Sequence, residues 1–89
     1  MALTLHNQIT VGATVVQGPD SAIPVEVFLK AHPDNTGVIY IGTSSEVATG
    51  NGFPLAAKDI VILKVSNLDD LYFIASAASQ VLAYICYEL

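Results

Sequence analysis

Apolar and polar positions alternate with a period of two along much of this chain. Across residues 23–31, Val25, Val27, Leu29 and Ala31 fall on one face and Glu26, Phe28 and Lys30 on the other, the spacing of a two-sided strand. Pro24 suits the start of such a strand because its ring nitrogen has no ladder hydrogen to donate. Gly, Pro, Asn and Asp interrupt the pattern every eight to twelve residues, and β-branched residues fill the intervals. These breaks delimit six strands, at residues 9–17, 23–31, 38–41, 60–65, 71–76 and 80–87, with residues 3–7 as a candidate seventh. Residues 43–55 form the longest irregular stretch, and its Gly50-Asn51-Gly52 centre suits the positive φ angles of a tight turn. No helical period persists. The pattern predicts an all-β fold, a small antiparallel β-sandwich or jelly-roll-like barrel of six to eight short strands, with residues 1–89 as one domain.

Several of these strands are apolar on both sides. Ile60 and Ile62 oppose Val61, Leu63 and Val65, and only Lys64 is polar; near the end of the chain Val81, Ala83, Ile85 and Tyr87 oppose Leu82, Tyr84 and Cys86. An antiparallel sheet with one wet face alternates cleanly, and a chain of 89 residues makes two layers only. Burying even ~400 Å² of such a surplus face is worth on the order of 10 kcal/mol before the entropy of association. Self-association follows as an expectation, with Tyr40, Ile62, Tyr72, Leu82, Tyr84 and Tyr87 as candidate interface residues.

Composition strengthens that expectation. Apolar residues make up 53% of the chain and charged ones 12%, about half the usual charged share for a globular domain. The net charge of −5, with three lysines as the sole Lys or Arg residues, leaves no basic footprint for a phosphate backbone, so nucleic-acid binding is not expected. Residues 71–87 carry no charge and approach the length of a membrane span. Ser76, Ser79 and Gln80 in the middle, and the lack of a basic flank, favour two strands turning at Ala77-Ala78-Ser79 over a spanning helix. Residues 1–7 lack the charged start and long apolar run of a secretion signal, so synthesis in a cytoplasm is expected.

Groups able to do chemistry are few. His6 has no acid or thiol near it in sequence, His32 and Asp34 flank Pro33 in what reads first as a turn, and Cys86 lies among apolar residues with no cation to lower its pKa. Neither Asp34-Asn35-Thr36-Gly37 nor Asp69-Asp70 has the spaced carboxylates of a calcium loop, and the Cys and His clusters that zinc requires do not occur. Gly50 and Gly52 precede no lysine and no helix of the kind a phosphate cradle needs. No catalytic residue, metal or cofactor is therefore expected.

Asn35-Thr36-Gly37, the strand Val38-Ile39-Tyr40-Ile41-Gly42 and the later Gly52-Phe53-Pro54-Leu55 together resemble a pattern in small virion structural proteins of tailed bacteriophages. The match covers residues 31–63 and departs where the family often continues with Pro-Gly, since this chain has Ala56-Ala57-Lys58-Asp59. The resemblance implies a non-enzymatic capsid decoration or cement protein, made in the host cytoplasm and located in the virion. It also implies a homo-oligomer, trimeric for preference, bound to the major capsid protein or another virion protein, with neither membrane nor nucleic acid as partner. Tyr40 and Phe53 would steady the strand-loop-strand unit, with plain core packing the simpler role for Phe53. A receptor- or carbohydrate-binding module of a tail fibre or baseplate is the alternative.

Overall fold

The computed structural model describes residues 4–89. Among the described residues there are eight strands: β1 (Thr4–Val11), β2 (Val16–Gln17), β3 (Val25–Ala31), β4 (Ile39–Gly42), β5 (Phe53–Leu55), β6 (Ile60–Val65), β7 (Tyr72–Ala75) and β8 (Gln80–Glu88). One short 3₁₀ turn, Leu68–Asp70, leads into β7. The first sheet has the order β1-β8-β3-β6 and the second β2-β7-β4-β5. Every pairing is antiparallel, and β1 meets β8, β2 meets β7, β3 meets β6 and β4 meets β5. The chain is thus one long hairpin, tipped at residues 43–52 and rolled so that β3 also meets β8 and β4 also meets β7. This winding is a jelly roll.

Period-two patterning explains which side each strand hides. Val25, Val27, Leu29 and Ala31 of β3, Leu82 and Cys86 of β8, and Val11 of β1 point between the sheets, where they meet Ile39, Ile41, Phe73, Ala75 and Leu55 of the second sheet. The molecule measures 38 × 26 × 16 Å. With packed sheets ~10 Å apart, a 16 Å short axis leaves no space for a third layer over either outer face.

Two polar corners close the sandwich. At the first, Asn67 Oδ1 accepts from the N–H groups of Ser21 and Asp69, both at 3.0 Å, while Asn67 Nδ2 donates to Asp20 Oδ1 at 2.7 Å. The buried Ser21 hydroxyl donates to the Ile23 carbonyl (2.9 Å) and accepts from the Leu68 N–H (3.0 Å). At the second, Asn35 Nδ2 donates to the Val81 carbonyl and Asn35 Oδ1 accepts from the Val81 N–H, both at 2.9 Å, so one side chain imitates a strand partner for β8. Buried Gln80 accepts from the Gly37 N–H (2.8 Å) and donates to the Ala78 carbonyl (2.8 Å). A Cβ on Gly37 would lie 2.9 Å from both Ala77 Cβ and Ser76 Oγ.

Several sequence expectations are corrected here. Residues 4–11 and 16–17 are separate strands in opposite sheets, whereas the pattern predicts one strand over residues 9–17 and another over 3–7, whose Leu3 lies outside the described residues. The chain leaves the first sheet at Gly12-Ala13-Thr14, and crossing a sandwich requires such a break. Phe53-Pro54-Leu55, predicted as part of a loop, is an edge strand, a place where Pro54 withholds no needed ladder hydrogen. Positive φ angles occur at Ala22 (66°), Lys58 (75°) and Ser79 (59°) and at none of the described glycines. Gly52 is instead required for closeness, since a Cβ there would lie 2.6 Å from Tyr40 Cβ. The uncharged stretch at residues 71–87 forms β7, a turn and most of β8, and no described helix is long and apolar enough to cross a membrane.

Candidate interaction surface

The outer face of the β1-β8-β3-β6 sheet follows directly from strand register. β3 turns Glu26, Phe28 and Lys30 outward; opposite them β6 presents Lys64, Ile62 and Ile60, and β8 presents Tyr87, Ile85 and Ala83. β1 contributes His6 and Gln8 beside Ile85 and Ala83. An apolar band of Ile85, Phe28 and Ile62 therefore crosses three strands, widened by Ile60, Ala83 and Tyr87. Ile60 is 58% exposed, Ile62 52%, Ile85 41% and Tyr87 42%. Tyr87 meets the Phe28 ring edge-on, with centroids 5.9 Å apart and planes at 88°. The charged groups Glu26, Lys30 and Lys64 lie at the margins. A connected apolar patch with a polar rim is the form of a protein-binding surface.

The second sheet carries a smaller outer patch. Tyr40 of β4 stands between Pro54 of β5 and Ile74 of β7, and Tyr72 follows on the same side beside Gln17. Tyr40, Tyr72 and Ile74 are half-buried. Phe53, for which core packing is the simpler expectation, is 57% exposed at the open edge of the sandwich, beside an apolar slot lined by Ile41, Val61, Leu63 and Leu71.

The six candidate interface residues are thus divided by the fold. Ile62 and Tyr87 lie on the outer face of the first sheet, and Tyr40 and Tyr72 on that of the second. Leu82 is fully buried and is core, not surface. Tyr84 shares the inward face of β8 and packs half-buried against the core; burial, and after it the neighbouring Cys86, raise its hydroxyl above the ordinary 10.0. Phe28 and Ile85, absent from the candidate set, are the centre of the band. Their signal is the two-residue step through β3 and β8, which becomes decisive once the inward parity of each strand is known.

The groups considered for chemistry stay apart. His32 Nδ1 accepts from the Asp34 N–H at 3.1 Å and lies 3.8 Å from Asp34 Oδ2, on an exposed turn. His6 is exposed on β1 and Cys86 is buried in the core. Asn35 is committed to Val81, and Asp70 Oδ2 accepts from the Ser66 hydroxyl at 2.9 Å. Among the described residues no group of three or more His, Cys, Asp or Glu side chains is placed to hold a metal ion.

No family model and no curated protein matches the chain. A solved structure of the disulfide-linked pili formed by Bacillus endospore appendages is similar in fold, with a TM-score of 0.64 and 20% identity over 100% of this chain and 88% of that one. At that identity the likeness bears on the fold alone.

Proposed function

We propose that this chain is a non-enzymatic structural module that associates with its own kind and attaches to a larger protein particle, as a capsid decoration or cement protein of a phage virion does. One observation carries this reading: the continuous apolar band of Ile85, Phe28 and Ile62 on the outer face of a sandwich too thin to cover it. Such a band costs free energy when left in water and is stabilised by a second protein surface. Several copies joined in this way bind a repeating shell at several points, and linkage of weak contacts multiplies avidity without new chemistry. The resemblance at residues 35–55 favours the virion setting, and the fold it shares with a pilus subunit suits a role in an assembly.

The disulfide linkage of the pili similar in fold is not open to these residues. A covalent chain of subunits needs at least two linking thiols each, whereas these 89 residues hold Cys86 alone, and it is buried. Assembly through these residues is expected to be noncovalent, with a reducing agent leaving the mass of the assembly unchanged in light scattering. The principal test is cosedimentation with empty capsid shells. Binding that is lost in Ile62→Glu is the expected result, and no binding to any shell, together with glycan-array binding that depends on Tyr40 or Tyr72, would establish the carbohydrate-binding alternative.

A further inference from the structure

The outer face of the first sheet differs from one end to the other, and the difference is self-complementary. Three registered rows cross it: Tyr87, Glu26 and Lys64; then Ile85, Phe28 and Ile62; then Ala83, Lys30 and Ile60. At β8 the first row carries the bulky Tyr87, 42% exposed, with its ring edge-on to Phe28. The third row dips at β8, because Ala83 has one carbon where its neighbours have rings or branches, and a shallow depression there is lined by Phe28, Ile60, Ala83 and Ile85 with Lys30 alongside. An aromatic knob with a carboxylate, and on β6 the Lys64 ammonium, thus lies at one end and an apolar hollow with an ammonium at the other. Phe28 sits midway, two residues from Glu26 and two from Lys30.

We propose that two copies of this chain pair through this face about a two-fold axis that crosses the strands at Phe28. That rotation reverses strand direction and sets each Phe28 beside its mate. It carries Tyr87 over the hollow at the second copy's Ala83 and places Glu26 opposite the second copy's Lys30, and symmetry makes each contact twice. Neither Glu26 nor Lys30 has an ion-pair partner among the described residues. The alternative two-fold, parallel to the strands through Phe28, would oppose Glu26 to Glu26 and Lys30 to Lys30, joining like charges, and would carry Tyr87 over the second copy's Lys64 instead of the hollow. Four strands ~4.8 Å apart and about seven residues at ~3.4 Å each give a face of roughly 450 Å² per copy. The pair then buries about 900 Å² or slightly more, near the floor for a specific interface, so the dimer is reversible with concentration. This deepens the assembly reading and rests on its claim that the chain self-associates.

Sedimentation velocity over a concentration series tests the pairing. The mass is expected to rise from 9.4 kDa toward twice that value. Glu26→Lys and Lys30→Glu each weaken association by about tenfold, and the double variant recovers most of the loss, because only this axis sets position 26 against position 30. Ala83→Arg fills the hollow and weakens association as well; circular dichroism and thermal melting confirm that each variant is folded, and if one is not, the remaining variants decide. Wild-type association in both single charge variants, or a double variant no better than the singles, overturns the pairing and leaves self-association through another surface standing. A species of three copies does the same. A chain that stays monomeric at the highest concentration yet binds shells overturns the pairing and self-association but not attachment.

Discussion

Asn67 ties residues 20–21 to its own 3₁₀ turn with one side chain, holding the Ser21 and Asp69 N–H groups and the Asp20 carboxylate. Asn67→Ala leaves these groups without that partner, and a loss of about 2 kcal/mol in urea unfolding is expected. The same corner sets an acid dependence. The Asn67 amide, and after it the Ala22 N–H, hold the Asp20 carboxyl below its ordinary 3.8. A lowered folded pKa stabilises the fold above the ordinary value, and that contribution disappears as pH falls through the lowered one. Asp20→Asn should therefore flatten the decline of the urea midpoint below about pH 4. Tyr84 carries the opposite sign: its raised hydroxyl pKa favours the fold below 10.0, and this is lost as pH rises through the folded value, a loss absent in Tyr84→Phe. None of these roles was legible in sequence, because Asn67 reads as an ordinary turn residue until the chain brings residues 20–21 against it.

At the scale of elements, β6 occupies the predicted residues 60–65 and β8 the predicted 80–87 plus one, because long runs of branched and aromatic residues between turn residues admit few other conformations. The tight Ala56-to-Asp59 turn was not legible. There Lys58 takes the left-handed angle of 75°, and the Asp59 N–H donates to the Ala56 carbonyl at 2.9 Å. A turn with positive φ at its third residue suits glycine, which is what the Pro-Gly of the resembling pattern would supply. Lys58→Gly should raise stability by about 0.5 kcal/mol, the relief of left-handed strain exceeding the added freedom of the unfolded chain. The reverse holds at Gly18, where a Cβ would collide with the Leu68 carbonyl oxygen, a backbone atom that cannot step aside. Gly18→Ala is expected to cost about 2 kcal/mol in thermal unfolding. The Asn35-Thr36-Gly37 motif likewise has an architectural cause, docking the β3–β4 connection onto the start of β8.

For the whole molecule, doubly apolar strands pointed to an exposed apolar face but not to its location. In β8, Leu82 and Ile85 are equally greasy in sequence, and only the pairing of β8 with β3 sends Leu82 into the core and Ile85 outward. Substitutions on the two faces should therefore separate cleanly. Ile62→Glu is expected to leave the melting temperature almost unchanged while suppressing concentration-dependent association, whereas Leu82→Ala is expected to cost about 3 kcal/mol of stability.

The register of β1 against β8 sets Thr4 opposite Tyr87, and that of β3 against β8 sets Val25 opposite Glu88. Any polypeptide fused ahead of position 4 and any fused beyond position 88 would then emerge together, at the knob-bearing end of the patterned face. In the proposed pair, a reporter attached at either site is held near the same part of the second copy. Fluorophores placed there sense subunit spacing from one vantage point.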